Sequence, residues 1–134
     1  MERFLPELNV DVNSLSPLTL AFIGDTVYDL LVRESIVCDA NRPVNDLHTQ
    51  AVKSVKASAQ SLAVKHIMPH LSEDELSVFK RGRNAKTAHT AKNSTVADYH
   101  AATGLEALFG YLYLSGNIKR IRELFNIIWG IKLD

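Results

Sequence analysis

The sequence predicts an all-α protein in which two apolar helices pack centrally under shorter amphipathic ones. Apolar residues recur mainly at helical spacing, and the alternation of β-branched residues that marks strands is scarce. The composition, 46% hydrophobic and 22% charged over 134 residues, is that of a globular protein with one core. Since no repeat or linker divides the chain, we expect one domain over 1–134 with its core at about 15–130.

The first half of the chain predicts two long helices. Ser16 followed by Pro17 is typical of an N-cap and a first helical residue, and opens a helix over about 17–37. Its apolar residues lie nearly all round the helix axis, which predicts a buried central element. Asn45 fits the cap of a second helix over about 46–67, which has one apolar stripe and lysines elsewhere.

The second half predicts three more helices and one loop. Ser72, with a glutamate three residues later, fits a capping box that opens a short helix. The segment 82–95 is rich in glycine, asparagine, threonine and lysine, and predicts a loop. A largely apolar helix follows over about 96–115, and Asn117 fits the cap of a last helix that runs to about Gly130.

Several classes of protein are excluded by composition. Cys38 is the single cysteine, so no internal disulfide can form, and no Cys/His cluster has the spacing of a zinc site. The N-terminus lacks the basic and apolar regions of a secretory signal, and no uncharged apolar run approaches the roughly 18 residues of a membrane span. We therefore expect a cytoplasmic protein with no membrane partner.

Two acids occupy positions where core residues are expected. Asp25 lies in the first apolar helix and Glu106 in the second, and each has a glycine nearby. Burying an ionised carboxylate is costly unless it is paired or binds a metal, and two carboxylates from facing helices could hold one Mg²⁺. The alternative is that each acid is capped, salt-bridged or at the rim of the core. Asp29 could be a further ligand, but an ion pair with Arg33 at i+4 is the preferred interpretation.

A basic stretch separates these helices. The formal net charge is zero, yet no acidic residue lies between Glu75 and Asp98, while five basic residues do: Lys80, Arg81, Arg83, Lys86 and Lys92. The stretch contains no aromatic residue, which argues against a base-stacking platform and favours contacts to phosphate and sugar. This composition fits double-stranded RNA, with Asn84 and His89 as weaker candidates for binding it. The alternative is a solvated loop.

These residues together resemble the ribonuclease III family. The resemblance covers the signature helix, in the run Phe22-Ile23-Gly24-Asp25-Thr26-Val27, and the second acidic helix, in the run Glu106-Ala107-Leu108-Phe109-Gly110. Three motifs resemble Mini-III, the bacterial branch without a C-terminal double-stranded-RNA-binding domain: Leu20-Ala21-Phe22-Ile23-Gly24-Asp25, Asn45-Asp46-Leu47-His48 and Lys80-Arg81-Gly82-Arg83-Asn84-Ala85-Lys86. We therefore expect a ribonuclease III-like catalytic domain with no second domain after it.

The resemblance implies an endonuclease that cleaves double-stranded RNA as a homodimer. It implies Mg²⁺, with Mn²⁺ as a substitute, held by Asp25 and Glu106 as catalytic and metal-binding residues. It also implies products with a 5′-phosphate and a 3′-hydroxyl, precursor 23S ribosomal RNA as the substrate, and Phe22 at the dimer interface.

Two positions depart from the ribonuclease III pattern. The family usually has a glutamate where this chain has Ala21 and an aspartate where it has Thr103. With fewer carboxylates, RNA phosphate oxygens and water must complete the coordination of the metal. These departures keep a second hypothesis open, a non-catalytic RNA-binding dimer with the same fold. A third, a hydrolase of small phosphate esters, leaves the basic stretch unexplained.

Overall fold

The computed structural model describes residues 3–86 and 95–130. Within these ranges the chain is all helical, without a strand, which confirms the predicted fold class. None of the described helices is both long and apolar enough to cross a lipid bilayer. The described ranges contain six α-helices, with short 3₁₀ helices at Val12–Ser14 and Met68–His70: α1 (Pro17–Asp39), α2 (Val44–Val55), α3 (Ala57–Ile67), α4 (Glu73–Asn84), α5 (Val96–Leu114) and α6 (Ile118–Trp129).

Helices α1 and α5 form the centre of the fold, as expected. They pack along each other, α3 and α4 cover α5, and α2 covers α1. The core includes three buried aromatic rings: Tyr28 meets Phe109 edge-on at 5.3 Å and Phe125 at 5.8 Å between ring centroids. Burying each such side chain contributes about 2 kcal/mol to folding. The core therefore holds the two central helices in one register.

The prediction that α1 is buried all round is wrong. Its inner face is covered by the other helices, but Phe22 is 82% exposed, and Leu30 and Val37 are also exposed. The periodicity of the sequence could not separate these two faces because both are apolar. Within the described part of the chain, an apolar face without a packing partner therefore runs along the outside of α1.

Three of the four predicted helix caps are confirmed, and the prediction of Asn45 as a cap is wrong, because α2 already begins at Val44. Ser16 accepts a hydrogen bond from the backbone nitrogen of Thr19 at 3.2 Å, and Asn117 accepts one from that of Arg120 at 3.2 Å. Ser72 and Glu75 form the complete capping box of α4. These caps satisfy backbone donors that have no partner within their own helix.

The predicted helix over 46–67 is wrong in its start and in its continuity. Helix α2 begins at Val44 after Pro43. The helix is interrupted at Lys56, whose backbone is extended, with a φ of −63° and a ψ of 156°. The break lets α2 pack on α1 while α3 packs on α5. Because each half has its own partner, tertiary packing overrides the single helical pattern.

The predicted loop over 82–95 is wrong at its beginning, since α4 continues to Asn84. Gly82 lies within α4, where its missing side chain allows that helix to contact α5. An added methyl group would lie 2.7 Å from Cβ of Ala107 and 3.0 Å from Cα of Gly104. The rest of that prediction, from 87 to 94, lies outside the described residues.

Candidate active site

The candidate site lies where α1 crosses α5, and glycines let the two backbones touch. A methyl group added to Gly24 would lie 1.6 Å from the backbone oxygen of Glu106, and one added to Gly110 would lie 1.9 Å from that of Leu20. Neither place has room for a side chain, because carbon and oxygen atoms in contact stay more than about 3 Å apart. The glycine that precedes Asp25 thus rests on the backbone of Glu106, and the two acids come together.

The carboxyl groups of Asp25 and Glu106 interact directly. Burial raises the pKa of Glu106 most, and repulsion from the carboxylate of Asp25 and a hydrogen bond shared with it raise this pKa further, to about 8. Glu106 is half-buried, whereas Asp25 is exposed. The expectation of an acid inside the core is therefore wrong for Asp25, which lies at the solvent edge of the α1–α5 contact.

Removing the charge of Glu106 should stabilise the metal-free protein at alkaline pH. The pKa of Glu106 in the folded protein, about 8, lies above its ordinary value of 4.5, so folding favours the protonated form. The stability that this proton contributes is fully present below about pH 4.5 and is lost as the pH rises through about 8. We expect Glu106→Gln to be more stable than wild type by roughly 1–3 kcal/mol at about pH 9, and to lose that advantage at about pH 4.5.

Urea unfolding in EDTA at both pH values measures this difference. Glu123→Gln is the matched control, because Glu123 is an exposed glutamate on α6. It should change the free energy of unfolding little at either pH. An advantage of Glu106→Gln that is equal at both pH values would contradict the raised pKa.

Gln60 is a buried residue of the site that the sequence analysis missed. Its side chain is buried, and its Nε2 donates to the backbone oxygen of Val55 at 2.8 Å and to Oε2 of Glu106 at 3.4 Å. Its Oε1 has no hydrogen-bond partner within the described part of the chain. A glutamine among the alanines of a helix carries no obvious sequence signal. The helix break at Lys56, which directs Gln60 toward Glu106, is also not predicted by the local sequence.

The donors at the site fit a hydrated divalent cation. Residues 3–86 and 95–130 contain no group of three or more His, Cys, Asp and Glu side chains that could hold a metal ion. Mg²⁺ needs no such cage, since it usually keeps several waters and takes one or two protein carboxylates. The carboxylates of Asp25 and Glu106 could supply those ligands. The unpaired Oε1 of Gln60, on the amide that contacts Glu106, is an acceptor that metal-bound water could satisfy.

The two neutral positions of the site add no carboxylate. Ala21 is buried in a small cluster that includes Val78 and Ala107. Thr103 is buried, and its hydroxyl donates to the backbone oxygen of Tyr99 at 3.0 Å. Ala21 therefore serves in packing, and Thr103 forms a hydrogen bond within its own helix.

Asp29 forms an ion pair with Arg33, which confirms the preferred interpretation of the sequence. Its Oδ2 lies 3.1 Å from Nε of Arg33, one turn along α1. Asp29 follows Asp25 by one turn and is thus a natural comparison residue for it.

Five of the seven candidate RNA-binding residues lie at the C-terminal end of α4 or directly after it. Lys80, Arg81, Asn84 and Lys86 are exposed, whereas Arg83 is half-buried, with its guanidinium 5.7 Å from the ring centroid of Phe79. His89 and Lys92 lie outside the described residues.

This basic end of α4 lies beside the helix that carries Glu106. Gly82 contacts the backbone of α5 at Gly104, two residues before Glu106. On the other side, Nη2 of Arg81 lies 3.5 Å from the backbone oxygen of Leu15, just before α1 begins. Positive side chains therefore flank the two helices that carry the acids.

The fold and the paired acids at a glycine-lined helix crossing define the class of protein. The family model of the ribonuclease III domain matches residues 18–117, so the chain belongs to the ribonuclease III family and is an endoribonuclease of that family.

Relatives place the chain within the Mini-III branch. It is 52% identical over 116 residues to Mini-ribonuclease 3 of Thermoanaerobacter sp. (strain X514), covering 87% of this chain and 82% of that one. It is 48% identical to Mini-ribonuclease 3 of Brevibacillus brevis over 118 residues, with 88% of each chain covered. A crystal structure of a protein from Fusobacterium nucleatum matches with a TM-score of 0.82 and 30% identity, covering 92% of this chain and all of that one. The resemblance stated from the motifs is confirmed.

Proposed function

We propose that this endoribonuclease cleaves double-stranded RNA with a divalent cation, and that Asp25 and Glu106 are its catalytic residues. The observation that carries the proposal is the direct approach of these two carboxyl groups at the α1–α5 crossing. One acid is exposed and can meet a substrate, while the other is half-buried. This difference in exposure between Asp25 and Glu106 suits a site that must bind an ion and still admit a large polyanion.

The two acids act through the charge that they place at this crossing. Asp25 and Glu106 repel each other when both are ionised, so a cation between them is favoured. Mg²⁺, with Mn²⁺ as a substitute, supplies when bound a water of lowered pKa and neutralises charge on the phosphodiester. Attack by water on phosphorus, with cleavage of the bond to the 3′ oxygen, leaves a 5′-phosphate and a 3′-hydroxyl.

The basic residues hold the substrate by its backbone. Lys80, Arg81 and Lys86 are exposed and suit phosphate contacts, with Asn84 as a neutral donor beside them. Arg83 packs over Phe79, which fixes its guanidinium. Such contacts recognise the shape of an A-form duplex more than its sequence. His89 and Lys92 extend the same basic segment in the sequence.

Cleavage of a long RNA duplex tests the proposed function. Purified protein is incubated with the duplex, and separately with each of its strands, in Mg²⁺ and in EDTA. We expect internal cuts in the duplex only, and only with Mg²⁺. Binding without cleavage under every condition would favour the non-catalytic alternative, and equal cleavage of the single strands would contradict duplex specificity.

We propose precursor 23S ribosomal RNA as the substrate in the cell. Likeness to Mini-ribonuclease 3 enzymes supports maturation of precursor 23S ribosomal RNA as the role, with the cytoplasm as the location. The experiment above uses a generic duplex, so its outcome does not depend on this finer assignment.

We also propose that the protein acts as a homodimer through the outer face of α1. Phe22 projects there with 82% of its surface exposed. Beside it, between α1 and α6, lies an apolar groove of about 470 Å³, lined in part by Phe4, Ile23, Val27, Leu30, Tyr113 and Ile121. Because a ridge and a groove lie on the same face, two copies related by a two-fold axis could cover both.

A charge at position 22 should separate the dimer. We expect Phe22→Asp to be monomeric at micromolar concentration by gel filtration with light scattering, because an aspartate cannot enter an apolar groove without a large desolvation cost. Val52→Asp is the matched control: Val52 is an apolar residue of α2 that is 61% exposed, and its variant should stay dimeric. A dimeric Phe22→Asp, or a wild type that is already monomeric, would exclude this interface.

A further inference from the structure

Gln60 lies on the first turn of α3 between two oxygen atoms. It is only 3% exposed, although its amide is polar. Burying such an amide is unfavourable unless its hydrogen bonds are made. Its nitrogen contacts the backbone oxygen of Val55 at 2.8 Å and Oε2 of Glu106 at 3.4 Å. The buried amide thus connects the α2–α3 junction to the candidate active site.

The direction of these hydrogen bonds is fixed by the chemistry of the partners. The carbonyl of Val55 is an acceptor, and so is Oε2 of Glu106 when a bound cation keeps that carboxylate ionised. If the amide of Gln60 were turned over, its oxygen would face two other oxygens, which is repulsive. Gln60 must therefore present its NH₂ group, and it donates to Glu106.

The helix break at Lys56 explains how Gln60 reaches this place. In an uninterrupted helix the carbonyl of Val55 would accept from the backbone nitrogen four residues later. At the break the side chain of Gln60 donates to that carbonyl instead. The bond of 2.8 Å anchors the amide, and the longer contact of 3.4 Å extends from the same nitrogen to Glu106.

We propose that Gln60 is a positioning residue, whose amide nitrogen holds the carboxylate of Glu106 in the orientation that faces Asp25. This inference rests on the proposed function of Glu106. When both carboxylates are ionised, repulsion from Asp25 favours rotation of the Glu106 side chain away from it. The donor on Gln60 opposes that rotation, because it offers Oε2 a partner only in the present orientation. Without it, the two carboxylates remain but are less well placed for a shared ion and for the phosphodiester.

Gln60→Met tests the proposal because methionine has a similar size and no donor. We expect kcat on a duplex RNA to fall by about 10- to 100-fold, as is typical when the partner of a metal ligand is removed. KM and the binding of duplex RNA in EDTA should be unchanged, since Gln60 is buried and cannot touch the substrate. Gln50→Met makes the same chemical change on α2 and should retain wild-type kcat.

A second readout is independent of the nuclease activity. A double-mutant cycle with Gln60→Met and Glu106→Met is measured by urea unfolding of the metal-free protein at about pH 9, where Glu106 is ionised. If Gln60 acts through Glu106, the two effects on the unfolding equilibrium constant should depart from additivity by several-fold. Additive effects, or a Gln60→Met variant with wild-type kcat, would overturn the proposal.

Two further outcomes are distinguishable. Gln60→Leu is a second variant that controls for a packing defect specific to methionine. Loss of the helical circular dichroism in both variants would assign Gln60 a purely structural role and overturn the proposal. A wild type that cleaves no duplex contradicts the proposed function of the site. A wild type that is active, with an unaffected Gln60→Met, contradicts only the role of Gln60.

Discussion

The variant Asp25→Asn is expected to lose cleavage of double-stranded RNA by at least about a thousandfold in kcat while keeping its fold and the oligomeric state of the wild type. Asparagine has the same shape as aspartate but no negative charge, so the proposed cation would lose one of its two protein carboxylates. Asp25 is exposed, so the neutral side chain leaves no buried group without a partner. Initial rates on a long duplex at saturating Mg²⁺ measure the effect, with circular dichroism and gel filtration as checks on the structure.

Asp29→Asn is the matched control for this variant. Asp29 lies one turn further along α1 and forms an exposed ion pair with Arg33. Loss of such a pair costs at most about 1 kcal/mol of stability and should leave kcat unchanged. Full activity of Asp25→Asn, or an equal loss in both variants, would show that Asp25 has no specific role.

Gly24→Ala is expected to have the largest effect on stability of any single methyl addition. The new Cβ would lie 1.6 Å from the backbone oxygen of Glu106, and a backbone atom cannot move without separating α1 from α5. We expect a loss of more than about 4 kcal/mol, or no folded protein at all. Urea unfolding followed by circular dichroism measures the loss.

Two other glycines calibrate this result. At Gly82 the added Cβ would lie 2.7 Å from Cβ of Ala107, a less severe overlap, so Gly82→Ala should cost less than Gly24→Ala. Among the described residues, no atom lies within 4 Å of a Cβ added to Gly130, whose φ is +76°, so its alanine variant should cost only about 1–2 kcal/mol for the left-handed backbone. A Gly24→Ala protein as stable as Gly130→Ala would refute the close helix crossing.

Much of the fold could be predicted from the sequence, because local chemistry determines it. Ser16, Ser72 and Asn117 each carry a side chain that can accept from the first turn of a helix, and each does so. The two central helices were recognisable because they hold most of the long apolar runs. Of the site, the acids stand out because a charge interrupts those runs and because each acid has a glycine nearby.

The parts that were missed depend on contacts between distant segments. The extended backbone at Lys56 exists because α2 packs on α1 while α3 packs on α5. The hydrophobic pattern of this segment does not show that its two halves contact different helices. Gln60 takes its place in the site only through that break. Gly82 looked like a loop residue, but its contact with α5 makes it a packing residue of a helix. The exposure of Asp25 and of Phe22 likewise follows from which face of α1 meets α5.

Anomalous diffraction from Mn²⁺ in crystals of the protein with an RNA duplex tests most directly whether Asp25 and Glu106 share a catalytic ion. We expect a strong peak between the two carboxyl groups, with both within coordination distance, and none there in crystals of Asp25→Asn. A peak at another position in an active wild-type complex, or none between these side chains, would contradict the proposed site.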